Sequence, residues 1–443
     1  MKKVYIVFIS SMFSTCMSAQ TVWTLKDCID YAMQNSITLK KAELSHKNAE
    51  EELKSSRAAM LPSLSGSTSQ TVGYRPWQNT FTVSNGTMGN KVSKSYYNGS
   101  YGINTSWTVW NGGQNTNQVK AKRVAEEKAD VQIQVSANSI QEQIAQLYVK
   151  ALYLNEAITV NQESLEASKK NEERGRQMVE VGKMSKADLA QLTAARATDE
   201  YNIVEARAAL AECKLQLKQL LEITGEQPFD IDAAPADDAH ALTDIPLLNS
   251  VYELALTSRP EIKNAELAVS ASDLQIKIAR GGFMPTVNLT GGVGTSTSSG
   301  NSNEWGKQMK SNFDASAGVS VSIPIYDQRK ARTAVRTARI QRDMAQLELK
   351  ETQKELYKTI EGYWQNAHTN QQKFRAAMAS EESEQQSYDL LSEQFRLGLK
   401  NIVELLTGKV NLLKARQNKL ESKYNTILNR QMLLFYEGET INI

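Results

Sequence analysis

Residues 131–165 read VQIQVSANSIQEQIAQLYVKALYLNEAITVNQESL. They place Ile133, Ala137, Ile140, Ile144, Leu147, Ala151, Leu154, Ile158, Asn161 and Leu165 at alternating steps of four and three residues. That is the spacing of an a/d coiled-coil seam. Around it, from about Gln114 to about Glu180, the chain contains no proline and reads as one continuous helix. At ~1.5 Å per residue such a helix is roughly 100 Å long. No ordinary globular core covers that length, so the helix requires partner helices along it.

The same seam returns about 216 positions later as Leu349, Gln353, Leu356, Ile360, Tyr363, Ala367, Asn370, Phe374, Ala377 and Glu381. Further upstream, Ala255, Ala265, Glu266, Leu267, Arg280 and Pro285 stand about 223 positions after Ala32, Ala42, Glu43, Leu44, Arg57 and Pro62. A constant offset marks an internal repeat. The offset drops by about seven between the strands of each copy, which places a deletion in the second hairpin loop, where a surface connection tolerates it.

Each copy carries the same series of elements. In the first, Thr24 to Met60 is helical with a break at Asn35-Ser36, and Pro62 ends it. Leu64, Gly66, Thr68, Gln70, Val72 and Tyr74 then alternate with Ser63, Ser65, Ser67, Ser69, Thr71 and Gly73, the period of a strand with one small polar face. After a loop holding Trp77, Phe81, Asn85-Gly86 and Gly89-Asn90, a second strand sets Tyr101, Ile103, Thr105, Trp107 and Val109 against Ser100, Gly102, Asn104, Ser106 and Thr108. Asn111-Gly112-Gly113 turns the chain into the long helix. The spacing thus predicts a first repeat over 20–225, with a hairpin at about 63–110, the long helix at about 114–180 and a return helix at about 186–222. A proline-rich linker at 226–246, with Pro228, Pro235 and Pro246, separates it from a second repeat over 247–443. There the hairpin is expected at about 286–326, with Val287, Leu289, Gly291 and Val293 in one strand and Phe313 to Ile325 in the other. The long helix follows at about 328–396 and the return helix at about 402–437.

Composition narrows the function. In 443 residues, 51 Lys and Arg balance 49 Asp and Glu for a net charge of +2, and no basic stripe interleaves with aromatics, so nucleic acid is not an expected partner. Lys2 and Lys3, the apolar run Val4 to Phe13, and Ser18-Ala19 before Gln20 read as a secretory signal over 1–19. Acylation at Cys16 is the rival reading of that leader. Export would leave Cys28 and Cys213 able to pair in an oxidising compartment, although Cys213 falls on the apolar stripe of Leu210 and Leu217, where a thiol serves as a small core residue.

The strands suit a tilted bilayer crossing in length and alternate between an apolar or aromatic face and a Ser/Gly/Thr face, as in a barrel with lipid outside and water inside. Tyr96, Tyr97, Trp107, Trp110, Phe283, Phe313 and Tyr326 cluster near strand ends, as interfacial aromatics do. Soluble hairpins with one packed and one solvated face are the alternative. Four strands cannot close a membrane barrel and an open edge in lipid leaves backbone groups unpaired. Several copies therefore pool their strands, and three would supply an even twelve.

With these residues in view, the chain resembles the TolC-like outer membrane efflux proteins over essentially the whole mature sequence. The likeness rests on the duplicated helix-hairpin-helix plan, on Val181-Gly182 with Asp188 six positions on, and on Leu397-Gly398 with Glu404 six positions on. Ala195-Arg196, Leu221-Glu222-Ile223-Thr224-Gly225 and the turn at Asn111 add to it. The resemblance implies a mainly helical fold with membrane β structure: a homotrimer with a twelve-stranded β-barrel in outer-membrane lipid, continued by a helical tunnel in the periplasm, with the linker in an equatorial region. It also implies a periplasmic adaptor and an inner-membrane transporter as partners, with small-molecule efflux or type I protein secretion as the activity. Gly182, Lys183, Met184, Ser185, Gly398, Leu399, Lys400 and Asn401 then become the adaptor-docking turns, and Glu404, Thr407 and Asp188 the candidate periplasmic constriction. Where the family can carry two acids at the constriction, this chain keeps Glu404 and has Thr407 at the second position. Ser185 with Asp188 and Asn401 with Glu404 also have the spacing of helix N-caps, a purely local use of the same residues.

Nothing in the sequence points to catalysis or to a cofactor. His46, His240 and His368 stand apart from any Cys/His cluster with metal-ligand spacing. Gly291-Gly292-Val293-Gly294 lies in a strand with no helix to follow, which excludes a phosphate-binding loop, and Glu381-Glu382 with Glu384 reads as a solvated helix face. From another class, a secreted coiled-coil scaffold with the hairpins as docking modules fits the same pattern.

Overall fold

A computed structural model describes residues 22–77, 81–84, 87–91, 94–225, 229–301 and 303–441. The expected signal with Cys16, the Asn85-Gly86 turn and Pro228 lie outside the described residues. In chain order the elements are β1 (Val22–Trp23), α1 (Leu25–Asn35), α2 (Ile37–Ala58), β2 (Ser63–Tyr74), β3 (Phe81–Ser84), β4 (Thr87–Lys91), β5 (Ser95–Asn111), α3 (Gln114–Glu180) and α4 (Lys186–Leu220). The second half continues with β6 (Asp230–Ile231), α5 (Asp238–Leu242), α6 (Leu248–Ser258), α7 (Pro260–Gly281), β7 (Thr286–Ser298), α8 (Trp305–Ser311), β8 (Asp314–Ser322), α9 (Lys330–Arg396) and α10 (Ile402–Glu437). The long helices α3 and α9 are equal in length at 67 residues. No helix among the described residues is long and apolar enough to cross a membrane.

The chain divides into two compact units, and α3 and α9 run through both. One comprises Ala42–Ile133 and Pro260–Gln353. It is built on an antiparallel sheet in the order β2-β5-β7-β8, in which β5 of the first repeat pairs with β7 of the second. The register aligns the two faces across all four strands. Ser65, Asn104, Gly292 and Ser316 form one cross-strand row, and Ser63, Ser106, Thr290 and Gly318 the next. On the other face Gly66, Ile103, Val293 and Ala315 form a row, followed toward the helices by Leu64, Thr105, Gly291 and Ala317 and then by Trp107, Leu289 and Val319. Directly opposite residues share a face, so one side is small and polar throughout, while the other carries the large apolar side chains together with Thr68, Gln70, Thr105, Thr295 and Thr297. Both are open in the single chain: Leu64 is 77% exposed, Val72 80% and Val319 67%. β2 and β8 are left as edges.

Three details depart from the sequence reading. A register shift between Thr108 and Trp110 places Trp110, not Val109, opposite Val287, because a bulge residue reverses the alternation that follows it. β8 stops at Ser322 instead of reaching Ile325, since Pro324 has no N–H to give to a ladder. The second hairpin connection, expected as a loop, contains α8, which is held to β7 by Gln308: its side-chain oxygen accepts from the Ser298 amide at 2.7 Å.

The other unit comprises Met1–Lys41, Gln134–Arg259 and Lys354–Ile443. Its core is assembled on α10, with Met432, Leu433, Ile427 and Tyr424 buried. Arg259 stacks over the rings of Phe435 and Tyr436 at 5.1 and 4.3 Å. The stretch read as a linker carries β6, which pairs in parallel with β1, and α5, whose Ala241 is fully buried. Thr24 and Asp27 close a capping box at the start of α1. Cys28 and Cys213 are free and buried. The Cys213 thiol donates to the Leu147 carbonyl at 3.3 Å, and burial, with the Asp27 charge a smaller cause, pushes the Cys28 thiol up to about 12.

Along α3 the expected seam is buried through Ile140, Ile144 and Ala151 and changes character beyond Ile158. The buried positions are then Asn161, Ser164, Ser168 and Asn171. Leu165, expected on the seam, is only half-buried. The seam has become polar: Ser164, Ser168 and Asn171 find partners on other helices, while the buried Asn161 side-chain oxygen accepts no hydrogen bond among the described residues.

Candidate functional site

The predicted turns join α3 to α4 and α9 to α10, and they are built alike. Gly182 has φ +72° and Gly398 φ +75°. The Gly182 amide donates to the Val179 carbonyl at 3.0 Å and the Lys183 amide to that of Met178 at 2.7 Å. Gly398 and Leu399 repeat the pattern onto Phe395 and Gln394 at 3.0 and 2.9 Å. This is the Schellman closure, which needs a left-handed residue at the turn and so takes glycine. A Cβ at either glycine would meet nothing within 4 Å.

The chain re-enters helix at once on both sides. The Asp188 amide donates to Ser185 Oγ at 3.1 Å, and that hydroxyl donates to Asp188 Oδ2 at 2.8 Å. Asn401 Oδ1 accepts from the Glu404 amide at 2.9 Å. Each cap contributes about 1 kcal/mol. The carboxylates of Asp188 and Glu404 lie in the first turns of α4 and α10, where the helix dipole favours them. Glu404 also meets Lys400 at 3.1 Å, with both side chains about two-fifths exposed. The Thr407 hydroxyl is turned back onto the Val403 carbonyl at 2.7 Å.

Both turns rest on one apolar cluster. Leu192, Tyr388, Phe395, Ile402, Leu405 and Leu412 are its buried members, with Met178, Met184 and Leu406 packed against them. Met184 is thus an anchor of its turn, whereas Lys183, Leu399 and Lys400 are exposed. Leu399 presents an apolar side chain to solvent, as do Val181, Leu397 and Val403.

Farther from the turns along these helices lies a cluster that the periodicity reading missed. Asp199 of α4 and Lys409 of α10 form an ion pair, with 5% and 7% of each residue exposed. The Lys409 ammonium also donates to Ser168 Oγ. Asp199 accepts from Ser168 at 2.5 Å and from Ser164 at 3.2 Å. One step nearer the turns, Asn171 donates to the Tyr388 hydroxyl at 3.1 Å. Ser164 and Ser168 of the polar seam of α3 are therefore the hydrogen-bonding wall of a buried charge pair. A signal for it was available: Asp199 is in phase with Leu192, Ile203 and Leu210, and Lys409 lies between Leu405 and Leu412.

From Lys409 the series continues along α10 at heptad steps. Arg416 meets Glu163 at 2.7 Å and Glu381 at 3.7 Å. Lys423, 5% exposed at its side chain, meets Asp238 at 3.0 Å and Glu156 at 3.5 Å. Arg430 donates to the Asp244 carbonyl at 3.0 Å. Glu381, expected on a solvated face, belongs to this network and also meets Lys419 at 2.9 Å. Burial acts to raise the Asp238 carboxyl, but the ammoniums of Lys423 and Lys419 outweigh it and hold the group below the usual range.

Comparison with known proteins places this geometry in context. A family model described as "Outer membrane efflux protein" matches residues 28–222 and 251–439, one segment for each repeat. The outer membrane efflux protein BepC of Brucella suis is 23% identical over 94% of this chain and 85% of its own length. The outer membrane protein TolC of Escherichia coli K12 is 24% identical over 97% and 85%. A crystal structure of CusC superposes with a TM-score of 0.80 at 18% identity, covering 94% of this chain and 92% of CusC.

Proposed function

The chain belongs to the outer membrane efflux protein family, and we propose that it is the passive exit duct of a tripartite pump that exports small toxic molecules. The family places it in the outer membrane, extending into the periplasm, as a channel protein, with a barrel completed by trimerisation. Four strands per protomer give twelve in the trimer. The aligned faces of the β2-β5-β7-β8 sheet carry this reading. A continuous small polar side can line water, the side that bears Leu64, Ile103, Trp107, Leu289 and Val319 can meet lipid, and the unpaired edges β2 and β8 are satisfied only by neighbouring copies.

In this proposal Gly182, Lys183, Met184 and Ser185, with Gly398, Leu399, Lys400 and Asn401, are where a periplasmic adaptor docks. An inner-membrane transporter supplies the energy. Two features support the assignment: the turns are the same structure twice, as a partner that grips both would require, and the space beside each glycine is open. Glu404 and Asp188 ring the constriction, while Thr407, with its hydroxyl committed to the backbone, adds no charge there. The names of BepC and CusC concern efflux and a channel, which favours efflux as the use of the duct.

The test uses a strain lacking the gene, complemented by the wild type or by Gly182→Asn with Gly398→Asn. Asparagine adds bulk while tolerating a left-handed backbone. The variant is expected to reach the outer membrane as a trimer and to leave cells as sensitive to dyes and detergents as the deletion. Normal efflux in the variant refutes docking at the turns. A deletion that leaves sensitivity unchanged, but removes a polypeptide from the medium, refutes the small-molecule cargo.

A further inference from the structure

His46 has no metal-binding neighbour in a Cys/His pattern along the chain, yet folding surrounds it with carboxylates. α2 carries His46 and Glu50 one turn apart, so both project from the same helix face, and α3 brings Glu126 against them. His46 Nε2 lies 3.4 Å from Glu126 Oε1. One donor atom from each of His46, Glu50 and Glu126 lies within 4.8 Å of the other two, and all three residues are half-buried.

The nearby cations are committed elsewhere. Lys122, one turn before Glu126, is held by Glu52 at 2.6 Å, and Lys263 meets Glu127 at 3.6 Å. Among the described residues the Glu50 carboxylate accepts no hydrogen bond and lies within salt-bridge distance of no cation. Lys54, one turn on from Glu50, feels its charge but is paired with Glu51 at 2.8 Å. Two half-buried carboxylates thus converge on an imidazole with no ammonium bonded to the Glu50 oxygens, an arrangement that a divalent cation completes.

We propose that His46, Glu50 and Glu126 form a binding site for a zinc-class divalent cation that clamps α2 to α3. Imidazole nitrogen and carboxylate oxygen are both zinc ligands, and three protein donors leave the fourth tetrahedral position to water. Metal–ligand bonds of about 2.0–2.2 Å require donors roughly 3.5 Å apart. The His46–Glu126 pair already has that spacing, and the Glu50 carboxylate closes the remainder by rotating about its side chain. The imidazole selects zinc, cobalt or nickel over magnesium and calcium, which prefer oxygen-only shells. This site does not depend on what the duct exports.

The experiment is a zinc titration of the full-length protein, extracted in detergent as the assembled oligomer and stripped with a chelator. Calorimetry measures stoichiometry and affinity, and cobalt absorption reports the ligand geometry. One zinc ion per protomer is expected, with tetrahedral cobalt bands, and both Glu50→Gln and His46→Gln should weaken binding by about tenfold or more. Glu50→Gln is the decisive variant, because Glu50 makes no hydrogen bond or ion pair that the metal-free fold needs and its action on exposed Lys54 is only through its charge; its native mass should equal that of the wild type. Zinc binding unchanged in Glu50→Gln overturns the site and reduces His46–Glu126 to a simple side-chain contact. Absence of uptake by the wild type at micromolar zinc overturns it equally.

Discussion

Lys409→Met removes the cation from the buried pair with Asp199 while preserving side-chain length. Asp199 then keeps the Ser164 and Ser168 hydroxyls but no counter-charge, at a site where only 5% of the residue reaches solvent. Breaking a buried pair from one side costs about 3–5 kcal/mol. The two retained hydroxyl donors place this case near the lower end, at about 3 kcal/mol, or roughly a hundredfold in an opening equilibrium. Oligomeric membrane proteins commonly unfold irreversibly, so a global melting point is the wrong measure. Amide hydrogen exchange reads the local opening instead. The amides of α4 around Asp199 and of α10 around Lys409 should exchange about a hundredfold faster in Lys409→Met, with the β2-β5-β7-β8 sheet unaffected. Replacing both partners, Asp199→Leu with Lys409→Met, should recover most of the lost protection, since no charge is left to desolvate and the Ser164 and Ser168 hydroxyls can turn back onto carbonyls of their own helix. Wild-type exchange in the single variant, or equal loss in the double, would refute the claim that this pair is a dry electrostatic tie between α4 and α10.

Two further predictions concern the turns and the thiols. Glu404→Gln keeps the Asn401 cap and removes only an exposed pair with Lys400, so it should cost under about 1 kcal/mol; if Glu404 lines the constriction, single-channel recordings in a bilayer should show reduced cation preference, and unchanged conductance and selectivity would leave it a capping residue alone. Cys28 and Cys213 should both resist a thiol reagent in the native protein even at pH 9, because burial raises both thiols and holds them in the unreactive neutral form. Denaturation without reductant should release both, whereas failure of either to label would indicate a disulfide.

The long helices were legible because an a/d seam sustained for many turns has no other stable use, and the repeat was legible because the seam recurs at a constant offset. The strands were legible from period two, but their faces were not equally so. Val109 and Trp110 exchange roles through one bulge residue, and no composition rule marks where the register slips. The caps at Ser185 and Asn401 and the left-handed glycines beside them are local structures and could be read from a few adjacent letters. Met184 could not: whether an apolar residue in a turn anchors or protrudes depends on the cluster beneath it, which four helices supply.

The amino-acid sequence alone determined the duplicated plan, the helix lengths, the alternating strands and the turn chemistry, since each depends on neighbours within a turn or two of the same segment. Only the tertiary structure decided which residues meet across segments. It aligned the polar faces of the four strands on one side, made a buried charge pair of Asp199 and Lys409, and brought Glu126 to His46 and Glu50. The physical reason is the same in each case: hydrogen bonds, ion pairs and metal ligation act over a few ångströms, and residues at those distances here are separated by tens to hundreds of positions in the chain.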